Sequence, residues 1–375
     1  MTRLGMTTKS YSDQMISLGV IRGSTSSMAQ ISGKQIFTLL EKGLIPPRIP
    51  FCPTIFEHAA RIINVTPSEL ARSVDHIVEG QLAAYDLYGH DLVSVAVDIY
   101  NVQAEAVGSE VLYWSDNSVP SIKESLIADE SDLKNLSIPN PEKDGRMPIF
   151  LEACEILDAK IGGQVNVTGN IVGPFTLAAI LRGYENFIMD LVTNEKFALG
   201  LLAFAMEVGF VYANAFIRRR LGVAVSESWI APPLLSPKIY RDKILTFHKE
   251  MVRKLKQSGL KNVALISGGD TYSIAGELAE TGSAILVADA NTNQRDYKVL
   301  CDERGIILRA NIDSKLVEEG DQIEMEDAVK TLIENCASGG RLIFGCGVVS
   351  YDTPPENILA TRRMVEKHNP YPIMQ

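Results

Sequence analysis

The chain has 375 residues, 46% of them hydrophobic, and 36 Lys+Arg against 46 Asp+Glu give a formal charge of −10. That is enough apolar material for a large core, at a length where one α/β barrel remains a single domain. The acidic balance disfavours nucleic acid as a partner, because the basic residues are scattered apart from Arg218-Arg219-Arg220. That short run reads as the last turn of a helix, where cations face the carbonyl end of the dipole. Five cysteines, Cys52, Cys154, Cys301, Cys336 and Cys346, form no CxxC pair and read as reduced thiols of a cytoplasmic protein. Apolar stretches such as 200–210 are broken by Glu207 and fall short of the roughly 20 residues of a membrane span, so no membrane partner is expected.

In chain order, residues 1–30 are polar, with a modest amphipathic pattern around 11–21, and predict an N-terminal helical arm ahead of a domain over 31–375. Short β-branched or apolar runs then alternate with segments of helical period, the pattern of a parallel sheet covered by helices. The runs are 48–52, 92–98, 164–170, 223–227, 263–267, 284–289, 306–312 and 341–346. About eight strands close a (β/α)8 TIM barrel. The stretch from Asp116 to Pro148 is the clearest insertion, and Val111-Leu112-Tyr113-Trp114 suits one strand of a small hairpin. Ser236-Pro237 opens a helical run, and Pro354-Pro355-Glu356 opens the last one. A doubly wound sheet is the competing α/β architecture, but no GxGxxG, GxxxxGK[ST] or GxSxG motif is present to support it.

A barrel of this kind builds its site at the carboxyl ends of its strands. The eight runs end at Cys52, Asp98, Asn170, Glu227, Ser267 with Asp270, Asp289, Asn311 with Asp313, and Cys346. Each alone has a structural explanation, a helix cap for a carboxylate or a small apolar filler for a thiol. Several polar ends converging on one rim point to a site.

Gly173-Pro174-Phe175-Thr176-Leu177-Ala178, followed by Leu181-Arg182-Gly183, resembles the GPFTLA segment of the uroporphyrinogen decarboxylase superfamily. Asp98 with Ala104-Glu105-Ala106-Val107-Gly108, Leu235-Ser236-Pro237, Asn311-Ile312-Asp313 and Gly345-Cys346-Gly347 strengthen the resemblance, which runs from about residue 45 to the end. It implies the same barrel. The arginine-bearing RQAGRY-like segment with which the decarboxylases grip carboxylates is missing from the first 60 residues. The resemblance therefore implies the branch of corrinoid-dependent methyltransferases, and within it methyltransferase I of anaerobic O-demethylase systems.

Members that methylate thiols carry a zinc-binding HxC pair and a later cysteine. Here Cys346 stands at the later position, while the HxC position reads Leu265-Ile266-Ser267, and leucine cannot ligate a metal. Activation of an ether oxygen favours harder ligands, and some O-demethylase relatives are thought to bind zinc through glutamate and histidine. Glu227 and His248 are the pair expected here, with Cys346, Asp98, Asp270 or Asp289 as third ligand or general acid. A helix broken near Thr246 would leave His248 at the rim. A helix continuous from Ser236 would carry it roughly 18 Å down the barrel wall.

Tyr100, Asn170, Trp229, Tyr272 and Asn311 are the expected substrate pocket, with Phe51 better explained as core. The activity implied is demethylation of a small methyl donor, an aryl methyl ether first, with transfer to the Co(I) of a cobalamin carried by a partner corrinoid protein. The chain itself has no DxHxxG-type cobalamin motif. A decarboxylase, a methyltransferase for another C1 donor such as methanol or a methylamine, and an inactive binding paralogue are the alternatives. A homodimer is an open expectation.

Overall fold

The eight sequence runs reappear, shifted by a few residues, in the computed structural model, which describes residues 31–371. The expected N-terminal arm lies outside those residues. The strands are β1 (Leu92–Val95), β2 (Val111–Leu112), β3 (Ser121–Ile122), β4 (Asn166–Val172), β5 (Gly222–Ser226), β6 (Ala264–Ile266), β7 (Ile285–Ala288), β8 (Ile307–Asn311) and β9 (Leu342–Gly345). β2 and β3 form the expected hairpin. The other seven make one parallel sheet in the order β1-β4-β5-β6-β7-β8-β9.

The eighth run closes the sheet. On one side Cys52 N–H donates to Phe344 O at 2.8 Å and Phe344 N–H to Pro50 O at 2.9 Å; on the other, Asp91 N–H donates to Phe51 O at 2.9 Å. Residues 50–52 thereby bridge β9 to the residue that precedes β1. The Asp91 carboxylate fixes the seam by accepting Phe51 N–H at 2.9 Å and both Arg48 Nη atoms, at 2.6 and 2.7 Å. Phe51 stacks on Phe344 in the core, as expected.

Strand alternation sends every second side chain into the bore. Leu92 and Ser94 of β1, Thr168 and Asn170 of β4, Gly222, Ala224 and Ser226 of β5, and Ala264 of β6 face inward. Their neighbours Val93, Val95, Val223, Val225 and Leu265 are buried beneath the helices. Barrels of this type usually fill the bore with branched aliphatic layers. Side chains this small and polar leave it partly open.

The helix Glu195–Arg218 corrects one expectation. At 24 residues it is long and apolar enough to cross a membrane by length and composition. Its apolar side, including Phe197, Leu201, Leu202, Val208 and Phe216, is buried within the protein. Arg218 occupies its last turn, as the sequence indicated. After β5, Ser236 caps Pro237–Ile239, a π-turn spans Tyr240–Ile244, and α-helix follows over Leu245–Gln257. The helical path is thus continuous, and Thr246 caps nothing.

Asp91 is buried, so Asp91→Ala would strand Arg48 and the Phe51 amide together. We expect a loss of about 3–5 kcal/mol, read as a lower urea midpoint with an unchanged m-value.

Candidate functional site

The open bore forms a cavity of about 470 Å³. At its carboxyl end, where the strand runs stop, the walls are Thr54, Tyr100, Asn170, Ser228, Ser267, Asp289, Arg309 and Asn311. Four residues named from the sequence, Tyr100, Asn170, Asp289 and Asn311, therefore face one space. The cavity continues toward the opposite end, where Lys34, Asp158, Arg220 and Lys261 are reached.

One hydrogen-bond relay organises the mouth. Asp289 accepts Gly269 N–H at 2.9 Å on one oxygen and Asn311 Nδ2 at 3.0 Å on the other. Asn311 Oδ1 accepts Arg309 Nε at 3.3 Å, and Arg309 Nη2 donates to Cys52 O at 2.9 Å and Thr54 Oγ1 at 2.5 Å. Gly345 makes room for this arrangement, since a Cβ there would stand 2.8 Å from Arg309 Nε. Across the mouth, Asn170 Nδ2 donates to Ser94 Oγ at 2.9 Å. The Tyr100 hydroxyl lies 2.6 Å from Ser228 Oγ. Burial raises the Tyr100 pKa above that of an ordinary phenol, so the hydroxyl keeps its proton as a donor. Ser267 Oγ is buried with no hydrogen-bond partner.

Glu227 and His248 do meet, with His248 Nε2 2.9 Å from Glu227 Oε1. The rise of roughly 18 Å along the continuous helix from Ser236 does not separate the pair, because Glu227 does not face the bore. Ser226 takes the inward position of β5, and by strand alternation Glu227 reaches into the layer between strands and helices. There it sits on the N-terminus of the helix Pro174–Arg182. It accepts Phe175 N–H at 2.9 Å on Oε1, and Thr176 N–H at 3.0 Å and Thr176 Oγ1–H at 2.7 Å on Oε2. Unpaired amides and dipole at a helix start favour such an anion. Gly173 is required beside it, because any Cβ would overlap the Glu227 side chain. The glycine and threonine of the Gly173–Ala178 segment thus build the Glu227 cradle.

This geometry does not fit a metal. Both Glu227 oxygens are occupied by protein donors and the residue is fully buried. His248 directs Nε2 at the carboxylate and Nδ1 at the Tyr240 hydroxyl, 3.0 Å away, leaving neither ring nitrogen free. Cys346 follows Gly345 on the helix side of β9, fully buried, its thiol pushed up to about 12 by burial; a neutral thiol is a poor ligand. Among the described residues no three His, Cys, Asp or Glu side chains converge as a metal site.

The remaining expected residues lie off the cavity lining. Asp98 has a left-handed backbone, φ 57°, and is spent on a buried network. Its carboxylate binds Arg146 Nη2 at 2.6 Å and the Asn101 amide, and Arg146 Nε binds Glu105 at 2.6 Å. Burial pushes the Asp98 carboxyl up to about 7 against the pull of Arg146. Asp270 is exposed and braces a loop, accepting Tyr272 N–H at 3.1 Å and Thr292 Oγ1–H at 2.7 Å. Tyr272 is exposed, and Trp229 packs edge-on against Tyr184. Arg309, Thr54 and Ser228 are the mouth residues that sequence reading missed. Arg309 sits inside an apolar strand run, two positions before Asn311 on the same face.

Comparison with known proteins fits this architecture. The family profile described as Uroporphyrinogen decarboxylase (URO-D) matches residues 37–368, and the chain belongs to that family. It is 27% identical over 289 residues to the methylcobamide:CoM methyltransferase MtbA of Methanosarcina acetivorans, covering 76% of this chain and 81% of that protein. The uroporphyrinogen decarboxylase of Geobacter metallireducens is 23% identical, with 81% and 88% covered. Among solved structures, a methyltransferase from Methanosarcina mazei superposes with a TM-score of 0.81 at 21% identity, over 90% of this chain and 99% of that one. That likeness shows the fold, a (β/α)8 barrel.

Two outcomes should follow from the Glu227 cradle. Glu227→Ala should lower stability by about 3–5 kcal/mol in chemical denaturation, because His248 and two helix amides lose their partner. The zinc content of anaerobically purified protein should be the same in the parent, Glu227→Ala and His248→Ala, by elemental analysis. Less zinc in either variant would return the pair to metal binding.

Proposed function

We propose that this member of the uroporphyrinogen decarboxylase family is a methyltransferase that takes the methyl group of a small aryl methyl ether and passes it to the corrinoid of a partner protein. The observation that carries the reading is the open bore, a cavity of about 470 Å³ whose mouth is walled by Tyr100, Asn170, Asp289 and Asn311. The size suits one small molecule, and several relatives in this family are named methylcobamide:CoM methyltransferases. The mouth also argues against a decarboxylase of a polycarboxylate. Arg309 is the one cation at the mouth among the described residues, since Lys34, Arg220 and Lys261 line the opposite end of the cavity, and several would be needed there to hold several carboxylates.

When bound, the corrinoid would supply Co(I), the nucleophile that accepts the methyl group. The methyl–oxygen bond breaks and its electron pair stays on the aryl oxygen. The leaving phenolate has a conjugate acid of pKa about 10, so the oxygen needs a donor. Tyr100 fills that role in our reading, because its hydroxyl faces the cavity, is held by Ser228 and remains protonated. Asn170 and Asn311 orient the ring from opposite walls, and Asp289 fixes Asn311. A partner docked over the mouth would exclude water from the transfer. Glu227 and His248 hold the wall rather than a metal, and no step in this reading depends on zinc.

The test is an anaerobic assay with free cob(I)alamin as methyl acceptor and a panel of methoxylated aromatics, methanol, methylamine and a methylated thiol. Chromatography should show the free phenol only when protein and cob(I)alamin are both present. Tyr100→Phe should slow release about 100-fold or more while leaving the folded protein's circular dichroism unchanged. Turnover of the thiol or methanol, with none of the aromatics, would overturn the ether reading.

A further inference from the structure

Arg309 is a cation with no counter-ion among the described residues. It lies on the inward face of β8, half-buried, and among the described residues it forms no ion pair. Its partners are all neutral acceptors: the Cys52 carbonyl, the Thr54 hydroxyl and the Asn311 amide oxygen. Those bonds use Nε and Nη2, so they fix the plane of the guanidinium and leave Nη1 without a hydrogen-bond partner among the described residues. Asp289, the carboxylate at the same mouth, is not in contact with it. Asn311 stands between them, donating to Asp289 and accepting from Arg309. The protein thus holds a fixed positive charge at the wall of a cavity, its position set by strand geometry and by the missing side chain at Gly345.

A half-buried charge held by neutral groups keeps its field, and an anion placed against it forms a charge-assisted hydrogen bond.

We infer that Arg309 seats an anionic group of the methyl donor, a carboxylate on the aromatic ring, with its free Nη1 facing that group. The class of substrate is then a methoxylated aromatic acid rather than a neutral methoxyarene. This deepens the methyltransferase reading and rests on it for the aromatic part of the ligand. The anion seat itself rests only on the geometry of Arg309.

Titration calorimetry on the full chain separates the two. The probes are methoxybenzoate, neutral methoxybenzene, and 2-mercaptoethanesulfonate as an anion without a ring. Parent protein should bind methoxybenzoate at least about tenfold more tightly than methoxybenzene, the scale of one charge-assisted hydrogen bond. Arg309→Gln should abolish that preference without changing affinity for methoxybenzene, and Arg309→Lys should retain part of it. If Arg309→Gln fails to fold, the parent's charged-over-neutral preference and the Lys variant still decide. Equal binding of the charged and neutral rings by the parent, or equal loss of both in the variants, would overturn the seat and leave the ether reading standing. Binding of the sulfonate alone, lost in Arg309→Gln, would uphold the seat and overturn the aromatic donor.

Discussion

Side-chain alternation along the strands of a closed parallel barrel is the constraint from which the rest follows. Each strand presents one residue to the bore and the next to the helices. On β5 this separates Ala224 and Ser226, which line the cavity, from Val225 and Glu227, which do not. On β8 it puts Arg309 and Asn311 on the bore side, with Leu308 and Ala310 behind them. A residue's chemistry therefore matters less than its parity. Glu227 and Asp289 are both acidic residues just past strand ends, yet one anchors a helix and the other borders a ligand-sized space.

The same rule explains what was legible in the sequence. Eight runs were visible because their helix-facing positions are mostly valine, isoleucine or leucine, alternating with small residues toward the bore. The residues that end them were visible as polar interruptions. Which of those ends share a space is a matter of counting in twos from the bore. That count would have kept Asp289 and Asn311, removed Glu227 and Cys346, and brought Arg309 forward. Asp98 escapes any such count, because its left-handed backbone breaks the register between β1 and the following helix. The insertion that supplies Arg146 as its partner is likewise too irregular to place from sequence.

Glu227 and His248 show how a correct pairing can carry a different meaning. A glutamate and a histidine 2.9 Å apart invite a metal, but the four hydrogen bonds on the carboxylate leave no lone pair directed outward. What the pair does is tie one strand to two helices. β5 carries the carboxylate, the helix after β4 supplies the amides, and the helix after β5 supplies the imidazole. The Gly173–Ala178 segment is the part of this tie most easily read in sequence, because only glycine fits beside the carboxylate and only a hydroxyl residue at Thr176 donates twice.

The small residues of the bore carry an evolutionary consequence. The barrel's cohesion resides on the outward faces of its strands, in valines and leucines pressed beneath the helices, while Gly222, Ala224, Ala264 and Ser94 contribute little to it. Small changes at Ala224, Ala264 and Ser94 would resize the chamber, whereas a Cβ at Gly222 would press on the Thr168 side chain. A barrel built this way can change what it accepts at low risk to its folding.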